Sequence, residues 1–371
     1  MASIPAQVAD ISVDWLNEVL SGSVGKVESF TAEPLGQGVG ILGELARLSL
    51  RYGDNDDDGN NDDDGNDRPP TMIAKCQSPA PENQFLGRVM GFYLREVNFY
   101  RQVSEQLDVR VPHAYHADAG DEGLPFVLLL EDIVGARCPD QIAGLTPDEA
   151  GSILDVVARL HAEFWDDTKL AALPWLPPMN NPLYQAGKQM ALDRWPAFEQ
   201  RFGDRIEPGM LAAIKTACDH YGEMLDFVAT QGQTTFTHTD CRAENYLFGG
   251  SAGEGVVTML DFQLCTRHFG PWDVANLLGG SLTPDVRRAC EHDLVERYHG
   301  QLVAHGVTDF SLDQCWRDLR LSLLQMCTAV VIVSDLQGGN ERGDELLENL
   351  TLRPIIAATD HLVDELLTEF C

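Results

Sequence analysis

The sequence predicts an α+β fold of two lobes, with a small β-rich N-terminal lobe and a larger, mainly helical C-terminal lobe. The chain has 371 residues, whereas one hydrophobic core usually stops growing at about 250–300 residues. Short segments typical of strands lie mostly before residue 132, and patterns of helical periodicity dominate after it. We therefore expect an N-terminal lobe at residues 1–132 and a C-terminal lobe at residues 133–371, joined near residues 131–136.

The N-terminal lobe is predicted to begin with a short helix and to continue mainly as strands. Residues 12–22 are amphipathic and end at a glycine, which is typical of a helix. Residues 87–107 carry apolar side chains at helical spacing and predict a second helix. Short apolar or alternating segments predict strands at residues 27–34, 44–51, 71–76 and 126–130.

An acidic tract separates two of these strands. Residues 54–67 hold eight Asp, four Asn and two Gly, a composition typical of a solvated loop. Asp54, Asp56 and Asp58 begin a pattern like that of a calcium-binding loop, but the twelfth position is Gly65, where such loops carry Glu. We therefore interpret the tract as an insertion at the tip of a hairpin, with a calcium site as the alternative.

The C-terminal lobe is predicted to consist of helices around one β-rich island. A helix over residues 146–165 begins with Thr-Pro-Asp-Glu, which places a proline in its first turn. Further helical patterns occupy residues 207–229, 283–305, 311–335 and 344–370. The β-rich island has predicted strands at residues 234–237, 246–248 and 256–260, with a glycine-rich turn at residues 249–255.

Composition excludes several classes of function. The chain has 58 acidic and 26 basic residues and a net charge of −32, so no basic face for nucleic acid or for an anionic membrane is expected. The longest nearly apolar stretch, residues 326–333, is too short to span a bilayer. The N-terminus lacks the pattern of a secretory signal, and the cysteines form no C-x-x-C pair. We expect a cytoplasmic protein, and the sequence makes no prediction of its oligomeric state.

The chemically informative residues lie in the β-rich island. The glycine-rich turn is expected to fold the third strand of the island back, so that Asp261 comes beside Asn245. A set of Asn and Asp oxygens favours Mg²⁺ over zinc, and Mg²⁺ normally completes its shell with phosphate oxygens and water. Asp240 lies five residues before Asn245 and is placed to accept a proton from an incoming hydroxyl group.

A glycine-rich segment in the N-terminal lobe is suited to phosphate groups. Gly36, Gly38 and Gly40 are followed by Gly43, and glycine lets backbone N–H groups approach a phosphate closely. The spacing alone also occurs in dinucleotide-binding folds, where a helix follows the segment. Here strands are predicted on both sides, so a dinucleotide-binding fold is not expected.

One lysine stands out in the N-terminal lobe. Lys75 is one of only five lysines, and it lies inside an otherwise apolar strand. An ammonium group in such a place needs a partner of opposite charge. Glu96, on the helix predicted at residues 87–107, is the expected partner, with Glu82 and Glu105 as alternatives.

Together these motifs resemble a known superfamily. The pattern His238-x-Asp240-x-x-x-x-Asn245 is followed, sixteen residues later, by Asp261-Phe262-Gln263, and residues 270–275 read Gly-Pro-Trp-Asp-Val-Ala. Over residues 35–324 the chain resembles the small-molecule phosphotransferases of the protein-kinase-like superfamily. Within it, the ecdysteroid-kinase-like branch, related to choline kinases and aminoglycoside phosphotransferases, is the most similar. The resemblance implies a bilobal protein-kinase-like fold, with ATP and Mg²⁺ as cofactors.

The resemblance also implies roles for the residues of the motifs. Asp240 corresponds to the catalytic base, and Asn245 and Asp261 correspond to metal ligands. Lys75 corresponds to the residue that holds the α- and β-phosphates of ATP while it pairs with Glu96. These assignments imply a kinase active site between the two lobes.

Further residues gain expected roles around this site. Glu131 and Ile133 fall in the hinge, whose backbone meets adenine in the superfamily. Arg242 is expected either to contact the γ-phosphate or to be a surface charge. Asp273 is expected to brace the catalytic loop from the start of a helix, and His238 is expected to be a structural hydrogen-bonding residue.

Two residues depart from the pattern of the superfamily, and one short spacing indicates what kind of molecule accepts the phosphoryl group. Gln263 stands where protein kinases have glycine, and Thr239 differs from the residue common in antibiotic kinases, but neither change removes a catalytic atom. Only 11 residues separate Asp261 from Asp273, too few for the segment that seats a peptide in protein kinases. We expect a small-molecule acceptor with a hydroxyl group. A non-catalytic nucleotide-binding or scaffold protein (a pseudokinase) and a protein kinase are the alternatives.

Overall fold

The structure, a computed structural model, describes residues 3–35, 43–53, 68–165, 168–336 and 340–370. In these ranges the predicted α+β architecture is confirmed, with a β-sheet in the N-terminal part and mainly helices in the C-terminal part. The acidic tract at residues 54–67, with its calcium alternative, lies outside the described residues. The division into lobes at residues 132 and 133 stays a prediction.

The strands form one large sheet and two small ones. The large sheet has the order β1-β2-β3-β5-β4 and is antiparallel throughout, β6 pairs with β8 and β8 with β9, and β7 pairs with β10. The strands in the described ranges are β1 (Val27–Leu35), β2 (Gly43–Tyr52), β3 (Thr71–Gln77), β4 (Ala114–Ala119), β5 (Phe126–Glu131), β6 (Ala136–Arg137), β7 (Thr235–Thr237), β8 (Tyr246–Gly249), β9 (Val257–Met259) and β10 (Thr266–His268).

The helices lie mostly in the C-terminal part. Several begin with the expected capping residues, and the Thr146 side chain accepts a hydrogen bond from Glu149 N in a capping box at the start of α4. The helices in the described ranges are α1 (Val13–Val19), α2 (Pro81–Val89), α3 (Phe92–Gln102), α4 (Pro147–Glu163), α5 (Thr168–Ala171), α6 (Pro182–Gln185), α7 (Gly187–Phe202), α8 (Pro208–Asp219), α9 (Tyr221–Gln231), α10 (Pro271–Ser281), α11 (Pro284–Ala304), α12 (Leu312–Ile332) and α13 (Glu341–Asp360).

Strand β5 is buried on both faces of the large sheet, which explains its continuous apolar run. Val127 and Leu129 pack into a core with Trp15 of α1. The side chains between them point to the other face, where Leu128 packs into the main core with Val97 of α3. A strand with helices on both sides needs apolar residues at every position.

Some predicted elements differ from the structure. The helix predicted at residues 87–107 is divided into α2 and α3, because Gly91 between them has a φ of 71°, in the left-handed region that a helix interior cannot contain. The helix predicted at residues 207–229 is also divided, into α8 and α9, at His220, whose φ of −110° and ψ of 16° depart from helical values. The α7 helix, which contains Pro196, was not predicted.

The helical part encloses the β-rich island. The α4 helix packs against α11, and α10 packs against both α12 and α13. Their apolar faces join α3 and the island in one large core. Among the described residues, every helix is too short or too polar to cross a lipid bilayer.

Candidate active site

A cavity of about 520 Å³ lies between the large sheet and the β-rich island. Apolar and charged side chains of the sheet line one side of the cavity, and mostly polar side chains of the island line the other. The structure brings most of the predicted site residues to this cavity, namely Lys75, Glu96, Glu131, Ile133, Asp240, Arg242, Asn245 and Asp261. The predicted phosphate-binding residues Gly36, Gly38 and Gly40 lie outside the described residues.

The loop at residues 238–245, which is predicted to be the catalytic loop and is given that name below, follows β7 and holds Asp240 by contacts within the loop. The Asn245 Nδ2 group donates to the backbone oxygen of Asp240 at 2.7 Å and to its carboxylate Oδ2 at 2.9 Å. The backbone N–H groups of Arg242 and Asn245 donate to Asp240 O and Arg242 O, both at 2.9 Å. These bonds make a compact turn in which Asp240 and Asn245 have a fixed relative orientation.

Asp273 holds the beginning of the catalytic loop from the first turn of α10. Its carboxylate is fully buried and accepts from His238 N at 2.7 Å and from Thr239 N at 2.8 Å. His161 of α4 lies 3.1 Å from the same carboxylate through Nε2 and 2.8 Å from the Tyr298 hydroxyl through Nδ1. Two backbone N–H groups of the loop are thereby fixed to one buried acceptor.

His238 makes a second connection in the loop. Its Nε2 lies 2.7 Å from the backbone oxygen of Leu260, immediately before Asp261. The ring also packs edge-on against Phe262. His238 is buried and lies behind the cavity, so it joins the two polar segments of the island.

The hairpin of β8 and β9 brings Asn245 and Asp261 to one side of the cavity. Tyr246 lies opposite Met259 in the hairpin register, and Leu260 N donates to Asn245 O at 2.9 Å. Asp261 has a φ of 64°, a left-handed conformation that Asp tolerates better than most residues. The turn directs its side chain into the cavity, sixteen positions after Asn245 in the sequence.

Lys75 lies between two carboxylates at the cavity wall. Its Nζ is 2.8 Å from Glu96 and 2.9 Å from Asp261 Oδ1, so Glu96 rather than Glu82 or Glu105 is its partner on the neighbouring helices. Lys75 is only 7% exposed and Glu96 only 1%. Three charged groups from β3, α3 and the segment after β9 therefore meet in one place.

The charges of Lys75, Glu96 and Asp261 shift one another's pKa values. Burial lowers the pKa of Lys75, but Asp261 and Glu96 outweigh this effect and raise it above its ordinary value. Burial opposes ionisation of Asp261, yet Lys75 holds the pKa of that carboxyl below its ordinary value. Burial raises the pKa of Glu96 to about 7 against the opposing effect of Lys75. Lys75 is therefore a cation, and Asp261 an anion, at neutral pH.

Arg242 is a cavity residue rather than a surface charge. Its side chain is 20% exposed and lies 3.3 Å from Asp240 Oδ2 through Nε and 2.8 Å from Glu244 Oε2 through Nη1. The charge of Asp240, with that of Glu244, raises the pKa of Arg242 despite burial. Arg242 therefore supplies positive charge beside Asp240.

The hinge includes an ion pair that sequence reasoning missed. Glu131 and Ile133 line the cavity as expected, and between them Asp132 accepts from Arg47 of β2 at 2.6 and 3.1 Å. The alternation of β2 places Arg47 on the same face as Leu45. Alternation alone does not say which face of β2 turns to the cavity. The sequence therefore predicts which residues share a face with Arg47, but not that Arg47 lies at the cavity.

The oxygen atoms at the cavity fit a magnesium ion. Because the Asn245 Nδ2 group donates to Asp240, its carbonyl oxygen is left available as a ligand. Asp261 is an anion with a second carboxylate oxygen, which is approached by Gln263 Nε2 only at 3.3 Å. Among the described residues that line the cavity, none is Cys or His, and a set of hard oxygen ligands suits Mg²⁺.

The fold and this site define a class of protein, the enzymes with a protein-kinase-like fold. Residues 85–317, more than half of the chain, match the phosphotransferase enzyme family. The chain therefore belongs to that family. No curated protein gives a significant match to the sequence.

Solved structures confirm the fold at low sequence identity. A candidate aminoglycoside phosphotransferase from Ralstonia eutropha JMP134 has a TM-score of 0.55 at 15% identity, over 94% of this chain and 97% of the other. A choline kinase from Cryptosporidium parvum Iowa II has a TM-score of 0.55 at 10% identity, over 96% of each chain. The GDP complex of an aminoglycoside 2′-phosphotransferase has a TM-score of 0.51 at 14% identity, over 93% and 96%. At these identities the likeness concerns the fold alone.

Proposed function

We propose that the protein is a kinase that transfers the γ-phosphoryl group of ATP to a hydroxyl group of a small organic molecule. The observation that carries the proposal is the convergence of Asp240, Asn245 and Asp261 on one cavity that also contains the Lys75 ammonium. Family membership supports phosphoryl transfer, and a structural neighbour is a complex with GDP. The short spacing between Asp261 and Asp273 supports a small acceptor rather than a peptide.

Asp240 is the residue that receives the proton of the acceptor hydroxyl. Asn245 and Arg242 hold its Oδ2 atom, which leaves Oδ1 to accept the proton. The hydroxyl oxygen forms a bond to the γ-phosphorus, and the bond from that phosphorus to the bridging oxygen breaks, so that ADP leaves. The protein itself forms no covalent bond in such a transfer. It therefore contributes to the rate mainly by orienting the reactants and by electrostatic stabilisation of the transition state.

The two cationic side chains of the cavity and the metal ion act on different parts of the phosphate chain. Lys75 binds phosphate oxygens of ATP, and Glu96 keeps its side chain directed into the cavity. Arg242, beside Asp240, stabilises charge near the transferred group. Mg²⁺ held by Asn245 and Asp261 neutralises charge on the phosphate oxygens when it is bound.

The decisive experiment is turnover of Mg·ATP with a panel of hydroxyl-bearing metabolites, followed by detection of the phosphorylated product. The Asp240→Asn variant is expected to lose about 10²–10⁴-fold in kcat, because the proton acceptor is gone. Asp219→Asn is the control, since Asp219 is an exposed residue of α8 that pairs only with Lys215 among the described residues. Turnover that persists undiminished in Asp240→Asn contradicts the assignment. Binding of Mg·ATP without any turnover in the wild-type protein supports the pseudokinase alternative.

A further inference from the structure

A buried polar network lies next to the catalytic loop and outside the cavity. Gln141, in the segment between β6 and α4, is fully buried. Its Nε2 group donates to Gly280 O at 2.9 Å, and its Oε1 accepts from Ala243 N at 2.8 Å and from Ser281 Oγ at 3.1 Å. Ser281 Oγ also accepts from Ala243 N at 3.0 Å. One side chain thereby joins the end of α10 to the catalytic loop.

The point of attachment lies between the residues that carry the chemistry. Ala243 is in the short turn from Asp240 to Asn245, where Asn245 N donates to Arg242 O. Asn245 in turn binds both the backbone oxygen and the carboxylate of Asp240. A shift of this turn would therefore move Asn245 and rotate the Asp240 carboxylate with it.

Both ends of α10 hold the loop. Asp273, in the first turn of α10, accepts from the backbone at His238 and Thr239. Ser281, the last residue of α10, contacts the loop at Ala243 together with Gln141. The loop is therefore attached to one helix at two points, and Gln141 completes the second.

Helix α13 holds the segment that carries Gln141. Arg353, in the interior of α13, is only 7% exposed. Its Nη1 donates to Gln141 O at 2.9 Å, and its Nη2 donates to Ile142 O at 2.5 Å. A buried guanidinium that binds two consecutive backbone oxygens fixes the path of this segment.

We propose that Gln141 is a positioning residue, which fixes the catalytic loop at Ala243 and thereby the orientation of Asp240. Arg353 holds the Gln141 backbone in place, so a residue near the C-terminus contributes to the geometry of the site. The kinetic consequence rests on the proposed function, whereas the ordering of the loop does not. A buried network whose members all have partners specifies one arrangement more strictly than apolar packing does.

The test replaces Gln141 by Met, which has a similar volume and no group to accept from Ala243 N. The chain is expected to fold, since Ser281 Oγ remains as an acceptor. Hydrogen–deuterium exchange of residues 238–246 is expected to rise about tenfold, and kcat with Mg·ATP to fall about tenfold, while KM for ATP changes by less than about twofold. Adding Ser281→Ala removes the second acceptor and is expected to increase both effects.

Gln325→Met is the matched control. Gln325 is another fully buried glutamine, and it donates to Met224 O at 3.1 Å in the helical core, with no hydrogen bond to the catalytic loop among the described residues. The proposal predicts that this variant leaves the exchange of residues 238–246 and the kcat unchanged. An equal loss in both variants, or unchanged exchange at residues 238–246 in Gln141→Met, overturns it. If the wild-type protein has no turnover, the proposed function fails, and the exchange measurement alone decides the role of Gln141.

Discussion

The two sides of the cavity are held by different forces. On the sheet side, Lys75 is fixed by ion pairs to Glu96 and Asp261. On the island side, the catalytic loop is fixed by backbone N–H groups that donate to the buried acceptors Asp273 and Gln141. One side is therefore held by charge and the other mainly by directional hydrogen bonds to the backbone.

This difference matches the proposed role of each side, which is phosphate binding on the sheet side and proton acceptance on the island side. An ammonium group between carboxylates can exchange one partner for a phosphate oxygen, because the interaction between charges has little directional preference. A proton acceptor must keep one orientation, and bonds from the backbone to buried acceptors supply it. The comparison predicts that substitutions on the two sides have distinguishable effects.

Among the substitutions that compare the two sides of the cavity, the largest effect is expected at Lys75. Lys75→Met is expected to reduce turnover of Mg·ATP by about 10²–10³-fold, because a charge that stabilises phosphate oxygens is lost. It is also expected to lower the free energy of unfolding by about 3 kcal/mol, since Glu96 and Asp261 lose their buried cation and each must either take up a proton or remain charged without it. Steady-state kinetics and urea denaturation measure the two effects.

A double variant separates these two effects of Lys75. Adding Glu96→Gln is expected to restore most of the stability and none of the turnover. Lys215→Met is the control, since Lys215 is a half-buried residue of α8 whose ion pair is with Asp219 of its own helix. If the double variant regains turnover, Lys75 acts only on stability, and the assignment of phosphate binding is wrong.

On the island side, Asp273→Ala is expected to act mainly through the loop. It leaves the backbone N–H groups of His238 and Thr239 without their acceptor, which costs about 2–4 kcal/mol of stability for two buried donors. Turnover is expected to fall, while the affinity for ATP in a binding assay stays within about threefold of the wild-type value. Asp285→Ala is the control, because Asp285 also lies in the first turn of its helix, α11, and is exposed. If the affinity for ATP falls as far in Asp273→Ala as it does in Lys75→Met, measured in the same binding assay, the two sides of the cavity do not differ in the way described.

The smallest effect concerns a buried acid whose ion pair is longer than that of Asp261 with Lys75. Burial raises the pKa of Asp318 in α12 to about 6, although its bond from Gln314 and the nearby Arg317 oppose the shift. Arg317 lies 3.6 Å away, whereas Asp261 lies 2.9 Å from Lys75 and has a lowered pKa. A native pKa above the unfolded value means that stability is greatest at low pH and is lost as the pH rises through about 6.

The measurement compares the wild-type protein with Asp318→Asn by urea denaturation at pH 5 and pH 7. Relative to the variant, the wild-type protein is expected to lose about 1 kcal/mol of stability between pH 5 and pH 7. The variant serves as the reference because it retains every other titrating group of this acidic chain. A difference that is independent of pH, or one that grows in the opposite direction, contradicts the raised pKa.

The sequence predicted the polar residues of the site better than the elements that carry them. The spacing of Asp240, Asn245 and Asp261 was informative because a hairpin with a glycine-rich turn leaves few ways to connect them. In contrast, periodicity predicted one continuous helix where Gly91 separates α2 from α3. The α7 helix, which contains Pro196, was not predicted at all. Periodicity describes a face of a segment, and one backbone angle is enough to end that segment.

Residues that act through distant contacts were missed by sequence reasoning. Gln141 and Arg353 are far from the motif, and each is an ordinary residue in its own segment. Arg47 was equally unremarkable within an alternating strand. Their contacts join residues 85–212 positions apart, and no local pattern encodes such pairs.

By itself the sequence determined the fold class, the local elements with strong capping or alternation, and the set of oxygen and ammonium groups available for phosphoryl transfer. Only the tertiary structure decided which of those groups meet, that Lys75 contacts both Glu96 and Asp261, and that both ends of α10 hold the catalytic loop. The physical reason is that propensity and periodicity depend on neighbours along the chain. The orientation of a buried side chain depends on hydrogen bonds and packing from elements that only folding brings together.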